Sequence, residues 1–115
     1  KVKPSKEKVK SSDLCIFSRQ LATMVSAGLP LVDAMRALED QTERHHFNYV
    51  IADVVRQIEG GSSFTDSISS HPQVFGSFFI NMARAGEASG DLAEVLLRIA
   101  DYLESVDSIK RKVRG

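Results

Sequence analysis

The sequence feature that most constrains the fold is a pair of apolar stripes joined by a short corner, residues 85–92. Gly86 leaves room there for a neighbouring backbone, and Gly90 can adopt the left-handed conformation that ends a helix. Two helices joined this closely fold back on each other as a hairpin. Both stripes have the three- and four-residue spacing of amphipathic helices: Phe75, Phe78, Phe79 and Met82 before the corner, and Leu92, Val95, Leu96, Ile99 and Leu103 after it.

Helical spacing continues through the rest of the chain, and no stretch alternates with period two for long enough to indicate a strand. Ser11 or Ser12 is expected to cap the first helix, and Ser62 or Ser63 the fourth. We therefore predict an all-α fold, a compact bundle of six antiparallel helices with short connections. The expected helices span about residues 12–27, 31–42, 44–59, 63–70, 75–88 and 91–112.

The formal net charge is zero, but the charges are distributed unevenly along the chain. Residues 11–109 hold six basic and fourteen acidic side chains, a net charge of −8, whereas both ends are rich in lysine and arginine. We divide the chain into a flexible basic linker (1–11), a six-helix domain (12–109) and a basic tail (110–115).

This charge pattern bears on which partners the chain can bind. An acidic body repels the phosphates of nucleic acids, so we expect no nucleic-acid partner. A basic tail directly after a helix is typical of a chain about to enter a bilayer from the cytoplasm. A solvated terminus is the alternative interpretation of both ends.

The single cysteine, Cys15, rules out an internal disulfide, and no apolar run has membrane-spanning length.

Three carboxylates near the corner form a candidate metal site: Glu87, Asp91 and Glu94. Their oxygens could hold a hard cation such as calcium, for example across a symmetric dimer contact. An acidic first turn that stabilises the helix dipole is the simpler explanation. The first interpretation would make the chain a metal-binding helical enzyme, although no set of residues here has the pattern of a catalytic site.

Two longer motifs resemble a known family. The run from Phe17 to Leu31 (FSRQLATMVSAGLPL) is similar to the opening signature of the type II secretion system F domain. The run from Gly86 to Leu92 (GEASGDL) is similar to its second signature, together with Leu96, Ala100, Tyr102 and Leu103. The resemblance covers about residues 13–114, and Gly61, Ser63, Phe64 and Phe75 also match.

The resemblance implies the first cytoplasmic domain of an inner-membrane platform protein of type II secretion or type IV pilus assembly. Such a domain would be a non-enzymatic docking module at the cytoplasmic face of the bacterial inner membrane, with no required cofactor. Its implied partners are an assembly ATPase, other inner-membrane components and pilin or pseudopilin. Transmembrane segments of the full-length protein would lie outside this sequence, and residues 110–115 would be juxtamembrane.

Five polar residues in the two signatures are candidate partner contacts: Arg19, Gln20, Glu87, Ser89 and Asp91. Arg19 and Gln20 lie off the apolar stripe of the first helix, so packing does not account for them. An intramolecular bond from Arg19 to Glu87 is the alternative, because it would tie the first helix to the corner. Self-association is also expected, through the Phe-rich fifth helix or a face of the sixth.

Overall fold

The computed structural model describes residues 9–43 and 45–114, with only the backbone of Arg114. Six helices account for almost all of them, which confirms the all-α prediction, and no strand occurs among the described residues. The helices are α1 (Ser11–Ser26), α2 (Leu31–Gln41), α3 (His45–Glu59), α4 (Phe64–Ser69), α5 (Pro72–Ser89) and α6 (Leu92–Arg114). Residues 1–8 of the predicted linker lie outside the described residues, and so do Arg44 and Gly115.

Helix ends differ from the sequence-based expectation in two places. The N-cap of α1 is Lys10, not a serine, and the Asp13 carboxylate accepts a hydrogen bond from the Lys10 N–H at 3.0 Å. Helix α5 begins at Pro72, earlier than expected, because proline suits the first turn of a helix. Gly76 then interrupts α5 with a positive φ of 82° before the helix resumes.

Aromatic rings connect four of the helices through the core. Phe17 of α1 meets Phe47 of α3 edge-on, with ring centroids 5.3 Å apart. Phe75 and Phe79 of α5 pack at 5.1 Å, and Phe79 also lies 6.4 Å from Phe64 of α4. Edge-to-face pairs at these separations add to the free energy gained by burying the rings. The Phe-rich stripe of α5 therefore packs mainly inward.

The helix α6 lies against α1 and α5, and its contact with α1 is the most extensive in the domain. It continues through Lys110 and Lys112 to Arg114, so the basic residues of the predicted tail extend the helix. Twenty-three residues give it a length of about 35 Å at 1.5 Å per residue. Among the described residues, no helix combines the length and apolarity needed to cross a bilayer.

Candidate functional site

The corner between α5 and α6 is closed by backbone contacts at its two glycines. A Cβ atom added at Gly86 would lie 2.9 Å from Cβ of Val95, so only glycine lets the two helices pack this closely. Gly90 has a φ of 78°, and the Asp91 N–H donates to the carbonyl of Gly86 at 2.9 Å. Both structural roles predicted for these glycines are confirmed.

Glu87 points away from the corner and binds the start of α4. Its Oε2 accepts a hydrogen bond from the Phe64 N–H at 2.9 Å, and its Oε1 accepts one from the Thr65 N–H at 2.8 Å. The Thr65 hydroxyl donates to the same Oε1. Since the first N–H groups of a helix have no partners within it, this carboxylate satisfies two of them. Glu87 thereby joins α4 to the end of α5.

Arg19 lies on α1 and pairs with two carboxylates of α6. Its Nε and Nη2 donate to the Glu104 carboxylate at 2.7 and 2.8 Å, and Nη2 also donates to Asp101 at 2.5 Å. The hydrogen bonds to Glu104 and Asp101 raise the pKa of Arg19 above its ordinary value. In turn, the hydrogen bond from Arg19 lowers the pKa of Glu104.

The proposed bond between Arg19 and Glu87 is therefore wrong in its partner. Arg19 does tie α1 to the rest of the bundle, but through Asp101 and Glu104. Asp101 lies nine residues beyond Leu92, the first residue of α6, which is about 14 Å along the helix axis. The sequence showed these carboxylates, but choosing among the acidic residues required knowing which face of α6 meets α1.

The other candidate contacts occupy different environments. Ser89 and Asp91 are exposed at the corner, where the Ser89 hydroxyl donates to the Gly86 carbonyl at 3.3 Å. Gln20 is exposed on α1, next to Ile16, whose side chain is 60% accessible. The structure thus leaves Ser89 and Asp91 exposed at the corner, directs Glu87 towards α4 and places Gln20 on another surface.

Two grooves run along α1 on either side of Ile16 and Gln20, and both residues line each of them. The first, of about 400 Å³, lies between α1 and the α2–α3 connection and is also lined by Asp13 and Glu43. The second, of about 460 Å³, lies between α1 and α6 and is also lined by Glu104. A partner could fill the two grooves and cover the apolar side chain of the exposed isoleucine between them.

A second polar network, which the sequence pattern did not indicate, connects α3 to the start of α5. Asp53 Oδ2 lies 2.6 Å from His71 Nε2 and accepts a hydrogen bond from Gln57 Nε2 at 2.8 Å. Gln57 also donates to the Ser70 hydroxyl at 2.8 Å. Burial alone would raise the pKa of Asp53, but its bonds with His71 and Gln57 outweigh this and lower it. His71 and Asp53 are eighteen positions apart, so their pairing depends on tertiary packing.

The calcium hypothesis concerned Glu87, Asp91 and Glu94. The described residues contain no group of three or more His, Cys, Asp or Glu side chains placed to hold a metal ion. Glu87 is bound to α4, and Glu94 forms a pair with Arg98 at 3.4 Å. Calcium binding stays a prediction, which calorimetric titration of the purified chain would test.

Cys15 is buried, and burial is the largest cause of its raised pKa.

Comparison with known proteins identifies the family. The model of the family "Type II secretion system (T2SS), protein F" matches residues 17–115. This chain belongs to that protein F family. The match includes both signatures, the α5–α6 corner and the residues that line the two grooves on α1, apart from Asp13, Cys15 and Ile16.

Named relatives of this protein F family chain come from both pilus assembly and secretion. It is 44% identical over 103 residues to a type IV pilus assembly protein PilC of Thermus thermophilus, covering 90% of the chain and 25% of that relative. It is 41% identical over 103 residues to a type II secretion system protein F of Aeromonas hydrophila, covering 90% of the chain and 26% of that relative. The chain thus spans about a quarter of the length of these relatives.

Proposed function

We propose that this chain is a non-enzymatic docking domain of a platform protein at the cytoplasmic face of the bacterial inner membrane. It couples an assembly ATPase to pilin or pseudopilin filament assembly, as the first of the cytoplasmic domains of the full-length protein. The family match over residues 17–115 is the observation that carries this proposal. Relatives of similar identity are named for pilus assembly and for secretion, so the proposal covers both machines.

The geometry of the domain supports coupling by a rigid body. Salt bridges and carboxylate caps join helices distant in sequence, as Arg19 joins α1 to α6 and Glu87 joins α5 to α4. A body held in this way moves as a unit when a partner pushes on one surface. We assign Arg19 and Glu87 to holding the body together, and Gln20, Ser89 and Asp91 to partner contact.

The groove surface on α1 is our candidate for the ATPase contact, because Ile16 and Gln20 are exposed there between two grooves. Ile16→Ser removes the apolar contact, and Gln20→Ala removes the polar one. Buried apolar anchors contribute most to such interfaces, so Ile16→Ser should weaken binding about tenfold or more. The measurement is calorimetric titration of the chain with the assembly ATPase of its own machine.

A matched control is available on α6, where Ile109 has the same 60% accessibility as Ile16. Ile109→Ser should leave ATPase affinity unchanged. Absence of ATPase binding by the unaltered chain would contradict the proposed function. Binding that is equally insensitive to both substitutions would place the contact elsewhere, with Ser89 and Asp91 as the next positions to alter. Sedimentation of the same samples would test the expected self-association.

A further inference from the structure

The α6 helix extends past the part of α5 that covers it, and this leaves one of its faces exposed. Helix α5 is interrupted at Gly76, and Phe78 just beyond that break contacts Tyr102 of α6, with ring centroids 4.3 Å apart. Tyr102, Val106, Ile109 and Val113 follow helical spacing on the same face of α6. Ile109 and Val113 are 60% and 81% accessible, so this face is uncovered towards the end of the helix.

Most of the large exposed apolar side chains of the described domain gather on this face. Phe78 is 39% accessible and Tyr102 49%, so they extend the surface formed by Ile109 and Val113. The two other large exposed apolar residues, Ile16 and Leu29, lie on α1 and just after it. We call Phe78, Tyr102, Ile109 and Val113 the α6-end surface. A concentration of apolar side chains on one exposed face marks an interaction site.

Basic side chains border this surface on both sides. At 100° per residue, Lys110 follows Ile109 on one side of the stripe and Lys112 precedes Val113 on the other. Both lysines are exposed. Arg111 lies on the opposite side of the helix, near α1, and pairs with Asp107 at 3.6 Å. Long lysine side chains on either edge of an apolar stripe can reach phosphate headgroups while the stripe enters the interface.

The charge of the rest of the domain also favours an anionic membrane surface as the partner, and it determines how the domain is oriented on that surface. Residues 110–114 hold four basic side chains and no acidic one, whereas residues 11–109 have a net charge of −8. An anionic surface therefore attracts this end of α6 and repels the acidic body of the domain. The aromatic pair adds side chains that partition well into the headgroup region.

We infer that the α6-end surface binds the surface of an anionic phospholipid bilayer and orients the domain on it. The Phe78–Tyr102 side then faces the lipid, and the groove surface on α1 faces the cytoplasm. This inference rests on the proposed function for the side of the membrane concerned. It goes further by assigning lipid contact to side chains of the folded domain itself, apart from any transmembrane segment.

Vesicle co-sedimentation at low ionic strength tests the inference with the chain as it is. The probes are vesicles of phosphatidylcholine alone and vesicles that also contain phosphatidylglycerol. The chain should bind the anionic vesicles and not the zwitterionic ones, and salt should release it. Lys110→Gln with Lys112→Gln should weaken binding roughly 25-fold, at about fivefold for each basic residue removed.

Apolar substitutions distinguish insertion from simple charge attraction. Ile109→Ser should weaken vesicle binding about tenfold, and Ile16→Ser, at the same accessibility on α1, should leave it unchanged. Phe78→Ser should weaken vesicle binding as well. Circular dichroism should show all these variants folded, since each side chain is at least 39% accessible.

Three results would overturn the inference: no binding to anionic vesicles, equal binding to both vesicle types, or equal loss in Ile16→Ser and Ile109→Ser. A dimer that Ile109→Ser dissociates, with vesicle binding unaffected, would assign the surface to a second copy. The proposed function is tested separately by ATPase titration. There Ile16→Ser is the variant expected to weaken binding, and Ile109→Ser is the control. Failure of one proposal therefore leaves the other measurable.

Discussion

Glu87 and Arg19 both make their main hydrogen bonds within the domain. Glu87 accepts three hydrogen bonds at the start of α4, from Phe64 and Thr65. Arg19 binds Asp101 and Glu104 across the α1–α6 contact. Two residues from the signatures that resemble the family therefore have structural roles, while Gln20 stays exposed.

Glu87→Gln should lower the free energy of unfolding by about 1–3 kcal/mol. The half-buried carboxylate satisfies two backbone N–H groups, and an amide offers a single acceptor in place of two charged oxygens. Urea denaturation followed by circular dichroism measures the change. The control is Glu94→Gln, whose exposed pair with Arg98 should contribute about 0.3–0.5 kcal/mol. Equal stability of Glu87→Gln and the unaltered chain would contradict the capping role.

A double-mutant cycle distinguishes the observed partner of Arg19 from the expected one. The cycle of Arg19→Ala with Glu104→Ala should give a coupling of about 0.5–1 kcal/mol, because the paired side chains are partly exposed. The cycle of Arg19→Ala with Glu87→Ala should give a coupling close to zero. A larger coupling between Arg19 and Glu87 than between Arg19 and Glu104 would support the expected partner and contradict the observed one.

Connections between helices depend on close contacts at a few positions. Gly86 lets α5 approach Val95 of α6, and Asp53 of α3 binds His71 just before α5. Arg36 of α2 and Glu59 of α3 form a further ion pair across neighbouring helices. These contacts set how the helices are placed, whereas the apolar stripes set only that helices form.

Gly86→Ala should destabilise the domain by about 1–3 kcal/mol. The added methyl would lie 2.9 Å from Cβ of Val95 and 3.3 Å from Cα of Leu92, so the corner must widen. Thermal unfolding measures the effect. Gly60→Ala is the control, because its nearest neighbours would lie at 3.4 and 3.5 Å. A Gly86→Ala variant as stable as Gly60→Ala would show that the corner adjusts freely.

The contact between Asp53 and His71 predicts a pH dependence of stability. Because the folded-state pKa of Asp53 lies below its ordinary value of 3.8, the carboxylate adds stability above that pH. This contribution is lost as the pH falls through the folded-state pKa. The difference in unfolding free energy between the unaltered chain and Asp53→Asn should therefore shrink between pH 5 and pH 2. A difference that grows on acidification would contradict the lowered pKa.

The whole molecule has one continuous core that links all six helices. Phenylalanine rings join α1, α3, α4 and α5, and α6 packs against α1 and α5. The radius of gyration, 13.6 Å, is close to the value of about 13 Å expected for a compact domain of this length.

A single core predicts one cooperative unfolding transition. Far-ultraviolet circular dichroism reports all the helices, whereas tyrosine fluorescence reports Tyr49 of α3 and Tyr102 of α6. The two signals should give the same midpoint in urea, since small single domains usually unfold in two states. Different midpoints would show that α6 separates from the bundle before the rest unfolds.

The sequence by itself determined the helices, the glycine corner and the acidic body. These depend on local spacing, backbone conformation and charge counts, which are visible along the chain. Gly90 shows this clearly, since its left-handed φ follows from its place between two apolar stripes. The family resemblance and the all-α fold were also predictable, and both are confirmed.

Only the tertiary structure decided which side chains meet. Glu87 bonds to residues more than twenty positions away, and Arg19 bonds to residues more than eighty away. Such pairs depend on how each helix is rotated about its axis and on which neighbour covers it. Packing alone distinguishes carboxylates that look equivalent along the chain. Packing also determines where an apolar stripe becomes exposed, which happens where its partner helix ends.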